Sequence, residues 1–294
     1  MRIIAVPCLK DNYAYLVCDD ANGTAAVVDP GESAPVLAAA AAAGVRITMV
    51  WATHHHPDHV GGIAGLVAAL GPLDIVAHVS DADRIAAATQ LVDDGDVVAL
   101  GPEMERTSGP SERGPEMERT SERSKRGPEM ERTSERSKRG PIVATIIFNP
   151  GHTLGAISYW LRDHDAVFTG DTLFGAGCGR MFEGTPTMMH ASLMRLATLP
   201  ASTRVYFGHE YTAANLRFAA LVTPHDAAVQ ARVAASAAML GQVTTPTLMG
   251  IECASNPFLR CGEATVIAAA STRAPGATAG AATFAALREW KNQA

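Results

Sequence analysis

No C-x-x-C pair occurs in this chain. Its five cysteines, Cys8, Cys18, Cys178, Cys253 and Cys261, are odd in number and widely spaced. That pattern argues against a cysteine-bound metal. Without a signal segment, it predicts reduced thiols in a cytoplasm. The opening stretch MRIIAVPCLKDNYAY holds a single Arg and a short apolar run that soon meets Lys10 and Asp11, so it does not read as a signal peptide. Long hydrophobic runs are missing too. The longest Ala-rich stretch, residues 34–45, contains Pro35 and Gly44 and is too short to span a bilayer. Nor is there an excess of basic charge: the formal net charge of -6 gives no general electrostatic case for nucleic acid. What is present is 294 residues with an apolar fraction of 47%, ample for the core of one large or two modest domains.

A 13-residue period runs through residues 101–139, where GPEMERTSGPSER is followed by two identical copies of GPEMERTSERSKR. Met104, Met117 and Met130 are its only apolar side chains. So little apolar surface cannot offset the entropy of ordering the segment. Its 10 basic and 9 acidic residues interleave, making it neither a basic arm nor an acidic tail. We expect a disordered tandem expansion in a surface loop, since loop-closure entropy grows slowly with length. The strand-like runs on either side, residues 96–100 and 141–148, predict that it interrupts a hairpin.

Along the first half, short β-rich runs alternate with helical ones. Strands are predicted at residues 2–7, 13–18, 24–28, 47–52 and 74–79, and beyond the insert at 142–148, 156–161, 166–169 and 204–207. Helices are predicted at 33–43, with Ser33 as its cap and Gly44 past its end, at 62–70 and at 82–88. After Tyr211 the strand signals fade, and residues 213–221, 226–240 and 281–291 read as helices. The shift predicts a mixed α/β domain over 1–210, interrupted by 101–139, then a smaller helical domain over 211–294.

The strongest chemical signal is Thr53-His54-His55-His56-Pro57-Asp58-His59, between an apolar strand and a helix. Neutral imidazole and carboxylate suit zinc, iron or manganese. So many potential ligands within six residues can rarely all serve one ion, and dividing them between two neighbouring ions is easier. Three downstream groups each sit where a strand ends beside a glycine: Gly151-His152, Gly170-Asp171 and Gly208-His209. Glycine there lets the backbone turn sharply and approach an ion. One buried histidine alone would be read as hydrogen-bonded core. Jointly the three point to one metal site.

H-x-H-x-D-H with these partners resembles the metallo-β-lactamase superfamily, and the chain is similar more narrowly to the glyoxalase II (hydroxyacylglutathione hydrolase) family. The likeness runs from Ile3 to Lys291, broken mainly by the insert. It includes Lys10-Asp11-Asn12-Tyr13, Val28-Asp29-Pro30-Gly31, Gly177-Cys178-Gly179-Arg180, Phe182-Glu183-Gly184-Thr185, Gly208-His209-Glu210-Tyr211-Thr212 and Asn256-Pro257-Phe258-Leu259-Arg260. It implies an αββα sandwich followed by a helical domain. It also implies two divalent ions, zinc in the first place with iron or manganese accepted. His54, His56 and His152 would hold the first ion, Asp58, His59 and His209 the second, and Asp171 would bridge them. His55 is a spacer, and His78, His164, His190 and His225 match no ligand position.

The activity implied is hydrolysis of S-D-lactoylglutathione to glutathione and D-lactate, the second step of methylglyoxal disposal, by metal-activated water with Asp58 and Asp171 as ligands. The absence of an obvious Ser-His or Cys-His pair agrees. Glutathione carries two carboxylates, so a cationic clamp is expected. The resemblance puts Arg180, Phe182, Tyr211, Arg288 and Lys291 at that site. Phe182 is a departure, because some relatives have tyrosine there, and the missing hydroxyl removes a hydrogen bond worth about 0.5–1.5 kcal/mol net. A monomer is expected, with a small glutathione thioester as its only partner and neither nucleic acid nor membrane. Two other readings compete: a glutathione persulfide dioxygenase with one iron, and a non-catalytic metal-binding scaffold whose insert recruits partners.

Overall fold

The computed structural model describes residues 1–101, 140–237 and 241–294. The repeat predicted at 101–139 therefore lies, from residue 102, outside the described residues, as does the end of the helix predicted at 226–240.

The alternating first half folds as read except over residues 82–88. Strands β1 (Arg2–Cys8), β2 (Asn12–Asp19) and β3 (Thr24–Val28) form an antiparallel meander. Helix α1 (Ser33–Ala43) then crosses to β4 (Arg46–Trp51), which lies parallel to β3. The short α2 (Pro57–Val60) and α3 (Ile63–Leu70) lead to β5 (Asp74–His78), and β6 (Gln90–Val92) completes a six-stranded sheet in the order β1-β2-β3-β4-β5-β6. A second six-stranded sheet runs β14-β13-β10-β9-β8-β7. Its strands are β7 (Val97–Leu100), β8 (Ile142–Phe148), β9 (Ile157–Leu161), β10 (Ala166–Gly170), β13 (Arg204–Phe207) and β14 (Thr247–Leu248). Between β10 and β13 come a small hairpin, β11 (Leu173–Phe174) with β12 (Gly177–Cys178), and helix α4 (Pro186–Leu196). The chain ends in α5 (Thr212–Val222), α6 (Ala227–Ala237), α7 (Met249–Ser255), α8 (Ala264–Ser271) and α9 (Gly280–Gln293).

Period-two alternation turns one face of each sheet toward the other. Tyr15, Val28, Trp51, Ile146, Tyr159 and Phe168 meet there in one buried cluster, with Trp51 and Tyr159 stacked at 5.2 Å. The outer face of the first sheet packs Leu16, Val27 and Val50 on Val36 of α1 and Leu66 of α3. The outer face of the second packs Ile147, Val167 and Val205 on Met189, Phe218 and Phe284 of the later helices and on Phe258 of the turn between α7 and α8. The layers are thus α/β/β/α, as expected.

Four local readings need correction. Residues 82–88 are turns after a 3-10 segment at Val79–Asp81, not a helix. The backbone there closes only isolated turns, with Arg84 N and Ile85 N donating to Asp81 O and Ala88 N to Ile85 O, before Thr89 pairs with Ile75 and Gln90 with Val76. The cap of α1 is Glu32 rather than Ser33, although Gly44 does end the helix in the left-handed conformation at φ 69°. Helix α4 was not predicted, although Thr185 accepts a hydrogen bond from the Met188 amide and Pro186 opens its first turn. Finally, β14 lies in the stretch read as wholly helical and pairs with β13.

The strands flanking the insert do form a hairpin, with Leu100 opposite Ile142. β8 then carries the chain through seven residues, about 20 Å, to the end where His152 follows.

Candidate metal centre

Every predicted ligand lies just past the carboxyl end of a strand: His54, His56, Asp58 and His59 after β4, His152 after β8, Asp171 after β10 and His209 after β13. Because β3 and β4 are parallel, as are β10 and β13, these ends meet at one edge of the sandwich. Gly208 permits a close approach, since a β-carbon there would fall 2.4 Å from Asp171 Oδ1 and 2.8 Å from His59 Cε1.

The side chains converge in two groups. His152 Nε2 lies 3.0 Å from His56 Nδ1, and the His54 ring stands 4.7 Å and 4.9 Å from those of His56 and His152. His59 Nε2 lies 3.3 Å from His209 Nε2, which is 3.4 Å from Asp58 Oδ2. Asp171 reaches both groups: Oδ2 is 3.4 Å from His152 Nε2 and 3.3 Å from His209 Nε2, and Oδ1 is 3.4 Å from His59 Nε2. His54 Nε2 and Asp171 Oδ1 are buried without a hydrogen-bond partner. A pair of cations between the groups would satisfy both atoms, so these residues fit the metal ions that the sequence implies.

Outer contacts aim the rings. His54 Nδ1 is 3.0 Å from Thr53 Oγ1, His59 Nδ1 is 3.0 Å from Asp29 Oδ2, His209 Nδ1 is 3.0 Å from Asp11 Oδ1, and His152 Nδ1 donates to the Arg180 carbonyl at 2.7 Å. Each such acceptor fixes the tautomer and leaves the opposite nitrogen facing the centre. Asn12 adds a hydrogen bond of 2.9 Å to Asp58 Oδ2. Asp29 is also close enough to His54 and His59 to count as a donor for a metal. Its carboxylate is already taken by Thr53 N, Thr53 Oγ1 and His59 Nδ1, so it supports ligands rather than serving as one. Sequence reasoning assigned no role to Asp29, Asp11, Asn12 or Thr53. The only trace of them was their place in the quoted motifs.

The charge is divided between the groups. Burial, then the neighbouring imidazoles, holds His54 well below the usual histidine value and His56 down at about 4. For His209, burial acts downward, but the carboxylates of Asp171 and Asp58 outweigh it and lift the imidazole to about 10. His59 is raised in the same way by Asp171 and Asp29 against its own burial. Asp171 in turn is held well below the carboxylate range by His59 and His209, although its burial acts upward. This end of the site demands positive charge, and a metal binding here must displace protons.

Beside the centre is a cleft of about 490 Å³ whose lining includes His152, Asp171, Arg180, Tyr211, Arg288 and Lys291. Arg180 and Phe182 are exposed at its rim, and the Phe182 ring meets those of His56 and His152 edge-on at 5.5 and 5.3 Å. Tyr211 stacks on His209 at 4.9 Å. Burial, then the charge of Arg288, lowers the Lys291 ammonium to about 8. Arg288 differs from the other cations. It is 4% exposed, donates to the Cys178 carbonyl at 3.0 Å and lies over the Phe258 ring. His55 faces Asp81 and Arg84, and His78 stacks on Phe148 at 4.4 Å, so neither joins the cluster.

Comparison with known proteins decides the family. Residues 10–209 match the model of the metallo-beta-lactamase superfamily, and residues 210–294 match that of the hydroxyacylglutathione hydrolase C-terminus. A hydroxyacylglutathione hydrolase from Rhodopseudomonas palustris (strain BisA53) is 42% identical over 97% of this chain and 96% of its own. The chain belongs to the hydroxyacylglutathione hydrolase family. Solved structures agree on the fold. ETHE1 from Myxococcus xanthus superposes over 99% of this chain and 100% of its own, with a TM-score of 0.59 at 25% identity. BLEG-1 B3 metallo-beta-lactamase covers 88% of this chain and 99% of its own, with a TM-score of 0.58 at 17% identity. Membership of the hydroxyacylglutathione hydrolase family makes the chain a thioester hydrolase, and the histidine–aspartate cluster supplies the donor groups of a metal site.

Proposed function

We propose that this chain hydrolyses S-D-lactoylglutathione, or a close S-2-hydroxyacylglutathione, to glutathione and the hydroxy acid. Two divalent ions are required, zinc in the first place, with iron and manganese acceptable to the same donors. His54, His56 and His152 would hold one, Asp58, His59 and His209 the other, and Asp171 both. The observation that carries this reading is the position of Asp171, within 3.4 Å of His152 on one side and of His59 and His209 on the other. When bound, such ions lower the pKa of water from about 15.7 to about 7 and polarise a carbonyl.

The chain's own groups do the rest. Asp11, Asp29, Thr53 and the Arg180 carbonyl keep four imidazoles in the required tautomers. Arg180 and Lys291 face the cleft as cations for the glutathione carboxylates, and Tyr211 and Phe182 supply apolar walls. Arg288 serves the cleft mainly through the backbone it holds at Cys178. The departing thiolate, with a conjugate acid near about 8.5, needs no protein acid. Cys178 lines the cleft, but burial pushes its thiol up, so it stays protonated and is no competing nucleophile.

We assign catalysis to residues 1–210 and part of the substrate grip to 211–294. We propose a cytoplasmic monomer, a location with which the free cysteines agree; no helix of the described residues is long and apolar enough to cross a membrane. The test is turnover of S-D-lactoylglutathione by metal-loaded protein, with loss on chelation and recovery on adding zinc. Oxygen uptake with a glutathione persulfide, or no turnover of any thioester, would overturn the proposal.

A further inference from the structure

Four segments meet at the rim of the cleft on the side of His54, His56 and His152, and side chains outside the metal cluster tie them together. Arg84, from the turn after β5, forms an ion pair with Glu183 and donates at 2.8 Å to His55 Nε2. His55 Nδ1 faces Asp81 Oδ1 at 3.1 Å, so the network assigns its proton to Nδ1. The other oxygen of Glu183 accepts from the Leu154 amide at 2.8 Å. The backbone continues the link, with Phe182 N donating to His152 O at 3.1 Å and Gly184 N to Gly151 O at 3.2 Å. Segment 180–184 therefore has one fastening to the histidine loop and another to the turn that carries His152.

That segment has two tasks at the site. Its Arg180 carbonyl fixes His152 Nδ1, and it presents Arg180 and Phe182 to the cleft. Arg84 and Glu183 touch neither the cluster nor the cleft floor, and Arg84 is about half exposed, its side chain at 47%. A surface ion pair stabilises a fold very little. Four contacts converging on one loop instead have a geometric consequence.

We propose that Arg84 and Glu183, with His55 as the middle member, are positioning residues that clamp segment 180–184 and so set the orientation of His152 and the placing of Arg180 and Phe182. The proposal rests on the reading of the cluster as a metal site and of the cleft as the substrate site. It gives the spacer histidine of the H-x-H-x-D-H motif a task other than coordination.

The test compares R84A, E183Q, R84K and R84A/E183Q in the full-length, zinc-loaded chain. Zinc retention against a chelator is followed at 25 °C beside KM, kcat and the thermal midpoint. R84A and E183Q are expected to speed zinc loss roughly three- to tenfold, less than the 10- to 100-fold typical of groups bonded directly to a ligand. They should raise KM several-fold, more than they lower kcat. The double variant should be no worse than either single one, because one clamp is broken once, and R84K should restore most of the loss. Zinc retention and KM within twofold of the parent would overturn the proposal. So would multiplicative effects, or a lowered thermal midpoint as the only change. If R84A does not fold, E183Q and R84K decide. If the parent turns over no thioester, the proposed function fails, and zinc retention still decides the clamp.

Discussion

Gly179 lies where the segment after β12 crosses behind the metal cluster. A β-carbon at this position would stand 2.0 Å from the Asp171 carbonyl oxygen and 3.1 Å from His152 Nδ1. The first distance is far inside contact and involves backbone, so no side chain can swing aside. In Gly179→Ala the segment must therefore retreat by roughly an ångström, a shift of the size that costs an active site about 100-fold. The same retreat withdraws the Arg180 carbonyl from His152, whose outer hydrogen bond is only 2.7 Å long. Loss of such a bond costs about 10- to 100-fold in metal affinity. The variant should fold, hold zinc less tightly by that factor when titrated against a chelator, and lose kcat further. Zinc affinity and kcat both within twofold of the parent would refute the claim that this backbone sets the His152 geometry.

Other outcomes follow from the same structure. An anionic substrate binds the protonated form of Lys291, whose value is about 8, so affinity is full well below that pH and falls as pH rises through it. KM should be flat near pH 6.5 and climb above 8 toward roughly tenfold per pH unit, and Lys291→Gln should remove the slope. A slope unchanged in Lys291→Gln would exclude this lysine from the grip. Glu252 is fully buried and paired with Arg232, and it also accepts from the Ala176 amide of the β11–β12 hairpin. Glu252→Ala should lower stability by about 3 kcal/mol in urea unfolding, since the buried Ala176 and Asn256 N–H donors and the Arg232 guanidinium, its side chain 13% exposed, lose a fully buried acceptor; a loss under 1 kcal/mol would contradict it. Deleting residues 101–139 should leave thioester hydrolysis nearly unchanged, because the insert joins the hairpin at Leu100 and Ile142, a strand's length from His152. A large fall in rate with folding intact would refute this placement.

What the sequence made legible was whatever rests on local order. Strand ends, the histidine loop and the glycine beside each distant ligand are patterns of a few residues, and the seven cluster side chains do converge. The supporting layer was not legible, because its meaning lies in pairings across the chain. Asp11 meets His209 after 198 residues and Asp29 meets His59 after 30, and nothing near either aspartate announces the partner. Arg288 illustrates the same limit. Spacing places it beside Lys291 on α9, and both border the cleft, yet its guanidinium is spent on the Cys178 carbonyl. Residues 82–88 failed differently: an Ala-rich stretch favours helix by propensity, but pairing of Thr89 and Gln90 with β5 draws the chain into isolated turns instead.

Anomalous diffraction at the metal absorption edges of zinc-loaded crystals should show two peaks about 3.5–4 Å apart. One should be contacted by His54, His56 and His152, the other by Asp58, His59 and His209, with Asp171 between them. A single peak, or two peaks with Asp171 touching only one, would contradict that arrangement.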